Sequence, residues 1–182
     1  MIVIVSKKKH RKTILRDYPD AQIVDTTSHA EGDFIKFSPF YPHGHIPVPG
    51  MPGTVSECME GVWQGLKVFE HEGVDHKSFL NDKMKNIKRD ETPKRGHILG
   101  HQYGDRLLGY IEAHQKIFFP TYNYVLEHYC QGILLQLHEM SKKGTLVLLD
   151  CDPSGNVYDE NQPMGHAALI KHYLETHFND GE

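Results

Sequence analysis

The chain has no apolar run approaching the roughly 20 residues that a membrane helix needs, and its opening MIVIVS gives way at once to lysines. That opening reads as a short buried strand, not as the apolar region of a signal peptide. Cysteine is scarce. Cys58, Cys130 and Cys151 lack CxxC spacing, which excludes a thiolate zinc site and a disulfide framework and predicts reduced structural thiols in a cytosolic protein. Charge of one sign is missing as well: 24 acids against 20 bases leave −4, with no global pull toward nucleic acid or an anionic membrane. No internal repeat is present, and no HExxH pairs two ligands with a base on one helix.

What the chain has in abundance is histidine, 14 in 182 residues. His43 and His45 form an HxH pair, and His97 and His101 lie four apart, yet neither pair brings a third ligand with it. The reading adopted is a protein without a metal or other cofactor; a metal-dependent hydrolase using His43, His45 and Asp152 stands as an alternative. Basic residues gather in Lys7–Lys12 and Lys83–Arg95, runs that ordinarily form solvated faces and can also hold phosphate.

At this length and 38% apolar content, one domain spanning residues 1–182 is expected. Strands are predicted at Ile2–Val5, Ala21–Asp25 and Thr145–Asp150. Residues 29–53 carry glycines, prolines and Phe34, Phe37, Phe40 and Tyr41, the composition of a packed binding loop. A helix is expected over Thr54–Phe69, opened by a Thr54/Glu57 capping box. A shorter helix is expected at His76–Asp82, then an irregular stretch from Gly96 to Gly109 and a helix over Tyr110–Phe118. Pro120 opens a long helix to about Lys142, ended by Gly144, and Met164–Phe178 closes the chain as a helix. The class is α+β, helix-rich, with a small sheet.

On the Thr54–Phe69 segment, helical spacing of about 100° per residue sets Glu60, Gln64 and Lys67 in one strip, with Trp63 at its border. An isolated strip of this kind is ordinarily a solvated face. The aromatic loop before it offers to turn the strip into a pocket wall, with a carboxylate facing ring systems. Hydrolysis of a glycosidic bond needs that pairing: a carboxylate beside the cationic anomeric carbon, and aromatic faces to hold a planar leaving group. A second candidate is Asp152 in Asp150–Cys151–Asp152, at the end of a buried strand, with Tyr158 beyond it; the same Asp-Pro-Ser-Gly also makes a plain turn. Gly100 and Gly104 leave room for a close approach or simply mark an irregular connection.

GDFIKF (Gly32–Phe37), FYP (Phe40–Pro42) and EGVWQGLKVF (Glu60–Phe69) together resemble the NADAR family. That family includes an N-glycosidase of riboflavin-pathway intermediates and hydrolases that remove ADP-ribose from guanine in DNA. The Glu-x-x-x-Gln-x-x-Lys spacing of its SEHxxQxxKF helix is intact here, and Gly61 stands where the family has histidine. Gly100 and Tyr110 occupy places where the family has a glycine turn and a tryptophan. Asp152 and Tyr158 stand in for its later aspartate and tryptophan, and Gly165 for the glycine of its closing helix. The resemblance implies an N-glycosidase of a ribosyl–base or ADP-ribosyl–base bond, with Glu60 and Asp152 catalytic. It implies that Phe37, Phe40, Tyr41, Trp63, Gln64, Lys67, Gly100, Tyr110 and Tyr158 bind substrate. The expected partner is a small nucleotide-like molecule, with ADP-ribosylated nucleic acid as the macromolecular form. A non-enzymatic ADP-ribose or nucleotide binder is the alternative from another class, favoured by Gly61.

Overall fold

A computed structural model describes residues 1–85, 87–153 and 165–178. In chain order these form β1 (Ile2–Ser6), α1 (Arg11–Asp17), β2 (Gln22–Asp25), a 3-10 turn at Gly32–Phe37, β3 (Ile46–Pro47), β4 (Val55–Ser56), α2 (Met59–Leu66) and β5 (Lys67–Phe69). A second 3-10 turn at His76–Leu80 leads to β6 (Ile98–Tyr103), β7 (Arg106–Leu108), α3 (Tyr110–Ala113) and a π-helical turn at His114–Phe118. The chain continues through α4 (Phe119–Tyr129), α5 (Gln131–Lys143), β8 (Leu146–Asp150) and α6 (His166–His177). The architecture is α+β with small sheets and more helix than strand. Contacts divide it into two compact units, residues 1–38 with 126–182, and residues 39–125.

The first unit is built on a parallel sheet of order β1-β8-β2, in which Val3 and Ile23 both lie opposite Val147. β1 and β8 are runs of β-branched and leucine side chains, the composition of strands covered on both faces, and β2 adds Ile23 and Val24. On one face Val5 and Val147 meet Ile14 of α1, with Val3, Ile23 and Leu149 packed around them. α5 packs on β8, and α6 on β1 and β8. All three strands stand where the apolar runs place them. α1 was not anticipated: within the charged stretch KKKHRKTILRD only Ile14 is buried, too sparse an apolar face for periodicity to register.

The second unit holds an antiparallel sheet, β5-β6-β7, and the two-residue pairing of β3 with β4. The helix expected from Thr54 starts later, because residues 55–56 are drawn into pairing with β3. Cys58 is its N-cap, its sulfur accepting from the Gly61 N–H at 3.3 Å. Glu57 has no capping role: its N–H donates to Phe79 O and its carbonyl accepts from Gly44 N. The helix also ends earlier, since Lys67–Phe69 turn to extended backbone and pair with β6. Residues 96–109 are not irregular but contain the β6–β7 hairpin, turned at Gly104 with φ +60°. The long helix expected from Pro120 is interrupted at Cys130 (φ −121°, ψ 11°) and continues as α5. Pro120 lies inside a helix already running from Tyr110. Proline cannot donate the next backbone bond of an α-helix, and the wider π turn directly precedes it.

Candidate functional site

Glu60 and Gln64 lie one helical turn apart on α2, and Lys67 follows as the first residue of β5. Gln64 Oε1 accepts from Lys67 Nζ (2.9 Å) and from the Arg89 backbone N–H (2.8 Å). Two donors on that oxygen fix the amide, so its NH2 points the other way and donates to Glu60 Oε1 at 2.8 Å. The strip is therefore no solvated face. Gln64 is 2% exposed, Lys67 7% and Arg89 5%, with Glu60 half-buried at the outer end. Burial pushes the Lys67 ammonium below its ordinary pKa, against the pull of Glu60 and Asp90. Its donors go to Gln64 and to Arg89 O (3.1 Å), so it braces the amide that holds the carboxylate.

The loop before α2 is tied to this end of the helix. The Glu60 N–H donates to Pro39 O at 2.8 Å, which holds the start of the Phe40–Tyr41 segment at the residue carrying the carboxylate. Phe40 and Tyr41 are half-buried, and Tyr41 packs on His43 with ring centres 4.6 Å apart. Trp63, also half-buried, lies 3.9 Å from the His101 ring, 4.7 Å from His114 and 5.4 Å from Phe118. Tyr110 joins the cluster through His114, whose Nδ1 donates to Tyr110 O at 2.9 Å. His101 lies opposite Lys67 in the β5–β6 register, so the ring cluster adjoins the polar chain.

Beside the same chain, a cleft of about 510 Å³ is lined by Lys77, Lys83, Lys88, Arg89 and Arg95 and by two acids, Asp75 and Asp82. Arg89 joins cleft and chain: its guanidinium donates to the carbonyls of Gln64 and Lys67 and lies 4.6 Å over Phe69.

Other expected residues are placed differently. Phe37, in the first unit, is fully buried and stacked on Phe34; it is core and presents no face to a ligand. Gly100 has φ +148°, and a Cβ there would overlap Leu108 O, so the glycine serves the close approach of β6 and β7. Asp152 is exposed, while Asp150 is 3% exposed and does the structural work at the strand end. Asp150 Oδ2 accepts from Ala167 N at 2.9 Å in the first turn of α6, and His166 donates from Nε2 to Thr26 O at 2.7 Å. Nearby, Lys7 bridges Asp25 and Thr27, both at 2.8 Å. Tyr158 lies outside the described residues. Cys58 and Cys130 are buried and Cys151 is exposed, all as free thiols.

Among the described residues no three His, Cys, Asp or Glu side chains group as metal ligands, and no helix is long and apolar enough to cross a membrane. Arg89 and His114 were not singled out from sequence, and His101 only as the partner of His97 in a spaced pair. Arg89 sits inside a run that reads as a charged loop, and its neighbours Lys88 and Asp90 are exposed as a loop's charges are.

A family model described as a family of unknown function (DUF6939) matches residues 6–170. The chain belongs to this family. Comparison with curated proteins gives no match, and comparison with solved structures gives none. The span matched to DUF6939 runs from the end of β1 into α6 and includes Glu60, Gln64, Lys67, Arg89 and His101 as well as Asp150.

Proposed function

We propose that the protein is an N-glycosidase that hydrolyses a ribosyl–base or ADP-ribosyl–base C–N bond. The observation that carries the reading is the fixed carboxylate. Glu60 is oriented by the Gln64 amide, whose own orientation is dictated by Lys67 and Arg89. A carboxylate held in advance of the reaction stabilises a developing cation without first reorganising. In this reading the C–N bond breaks with its electron pair leaving on the base, and an oxocarbenium ion forms at the anomeric carbon beside Glu60. Water adds to that carbon and gives its proton to Glu60, and the departing base is protonated in turn. The rings near Glu60 grip the base, and the basic cleft at Arg89 takes a phosphate. The spacing shared with the NADAR family supports the same assignment.

Within this reading the substrate is a small nucleotide metabolite in preference to ADP-ribosylated nucleic acid, and the setting is cytoplasmic. The test is a chromatographic hydrolysis assay of wild type and Glu60→Gln. The panel contains ADP-ribosylated guanine DNA, NAD, ADP-ribose and phosphorylated ribosylamino-pyrimidines. Wild type should release a free base, and Glu60→Gln should be slower by about 10²–10⁴-fold. Unimpaired turnover by the variant overturns the assignment.

A second reading is a nucleotide binder without catalysis. It is favoured by Gly61, where a Cβ would lie 2.6 Å from Ser78 O, so that no histidine side chain fits after the glutamate. Tight binding of ADP-ribose with no product, unchanged in Glu60→Gln, would single it out.

A further inference from the structure

His101 is 5% exposed, and its Nε2 has no hydrogen-bond partner. An unpaired polar atom at that depth is uncommon in a folded protein and costs as much as a lost hydrogen bond. The other ring nitrogen is engaged by the Trp63 backbone in a bond that favours protonation, and therefore donates to the carbonyl. That leaves Nδ1 carrying the hydrogen and Nε2 carrying a bare lone pair. Burial, with Lys67 and His114 nearby, holds the ring's pKa down to about 3, so at neutral pH this nitrogen can only accept.

The surroundings are those of a stack. The indole of Trp63 covers the imidazole at 3.9 Å between ring centres, and His114 and Phe118 meet the same indole edge-on. Both His114 and Phe118 belong to the π-helical turn, a rare helix form found mostly at functional sites. Trp63 and Tyr110 are half-buried.

We propose that Trp63 and His101 form a subsite for a planar nitrogen heterocycle, whose N–H donates to His101 Nε2 while its face lies on the aromatic stack. Only the identification of this ring as the leaving base rests on the N-glycosidase reading; the subsite itself does not. A donor on the ring distinguishes ligands, because a ring without one leaves Nε2 unpaired and adds nothing to offset it.

Trp63 is the single tryptophan of the chain, so its fluorescence reports this stack alone. The experiment titrates Glu60→Gln, which keeps turnover apart from binding, with two pairs of nucleosides. Adenosine is paired with N6,N6-dimethyladenosine, and inosine with 1-methylinosine; the second of each pair lacks the N–H. At least one donor-bearing nucleoside should quench saturably and bind about tenfold more tightly than its methylated partner. Adding His101→Phe, which keeps the flat ring and removes the acceptor, should abolish the difference. The comparison in Glu60→Gln alone needs no change at His101 and stands even if His101→Phe does not fold. No saturable quenching, equal affinity within both pairs, or undiminished discrimination after His101→Phe would overturn the subsite. Discrimination without hydrolysis of any glycoside by wild type would overturn the N-glycosidase reading and keep the subsite. Hydrolysis without discrimination would do the reverse.

Discussion

At the scale of single residues, His101 Nε2 and Thr121 Oγ1 depart from the rule that buried polar atoms are paired, and of the two only His101 titrates. Gln64, Lys67 and Arg89 are as deeply buried, but each is satisfied by the others. The difference has a pH signature. The His101 pKa is about 3 in the folded chain, against about 6.5 for a histidine in an unfolded one. As pH falls below the higher value, the unfolded state takes up a proton that the folded state refuses. Stability is therefore full above pH 6.5 and declines toward pH 3, by about 1.4 kcal/mol per unit from this one group. His114 adds a decline of the same sign, its pKa also lowered by burial. Comparing wild type with His101→Phe isolates the first. Urea unfolding at pH 7 and pH 4.5 should show wild type losing about 2–3 kcal/mol more than the variant over that interval. Equal losses would mean that His101 takes up its proton as readily in the folded chain as in the unfolded one, so that burial does not hold its pKa down.

At the scale of elements, α2 is held by what it lacks. Gly61 and Gly65 lie one turn apart on the helix and face the 3-10 turn of residues 76–80. A Cβ on Gly61 would approach Ser78 O to 2.6 Å, and one on Gly65 would approach Phe79 Cε1 to 2.5 Å. Two glycines in eight residues of helix cost about 1 kcal/mol each in propensity. In exchange the helix packs directly against the neighbouring backbone, while Glu60 and Gln64, about 100° further round the helix, face Arg89. Gly61→Ala gains propensity and loses this fit. Because the obstructing atom is backbone oxygen and cannot rotate away, the loss should win, with a net destabilisation of about 1–3 kcal/mol by chemical denaturation. A stabilised Gly61→Ala would show that the approach of α2 to residues 76–80 is loose.

The same helix shows what could be read in advance. Glu60, Gln64 and Lys67 were legible because a seven-residue spacing survives even though the chain leaves helix at Lys67; the first extended residue continues the direction of the last turn. β1 and β8 were legible because each is an unbroken apolar run up to its last residue, whereas β2 is marked only by Ile23 and Val24. The start of α2 was not, since Thr54 and Glu57 satisfy a capping pattern whose competitor is a two-residue strand pairing with β3. Arg89 and His101 were beyond reach: their importance comes from contacts to Gln64, Lys67 and Trp63, residues 25, 22 and 38 positions away. Asp152 was the candidate from sequence and Asp150 only its neighbour in the motif; Asp150 is the buried one, and only a helix following the strand could give it a backbone N–H to accept from.

At the scale of the whole molecule, Glu60 belongs to one compact unit and Asp152 to the other, and Gln64, Lys67, Arg89 and the ring cluster all belong with Glu60. Charge is the other whole-molecule property that bears on substrate. The net value is −4, and the basic side chains of the cleft at Arg89 stand among acids: Lys83 lies 3.3 Å from Asp82, Lys88 lies 3.5 Å from Asp90, and Arg95 lies 2.9 Å from Glu72. Exposed pairs of this kind hold each other weakly, and a phosphate or pyrophosphate can displace one carboxylate. A long polyanion would have to face the remaining acids along its whole length. Proteins that bind nucleic acid through many phosphate contacts lose about 10³–10⁵ in affinity between 50 and 200 mM salt. A substrate carrying one or two phosphates should instead show kcat/KM falling by less than about tenfold over that range, whichever base is released. Steady-state hydrolysis across the salt series decides the matter. A steep fall would transfer the assignment from a nucleotide metabolite to a modified nucleic acid, with the basic run of residues 83–95 as the phosphate-tracking surface.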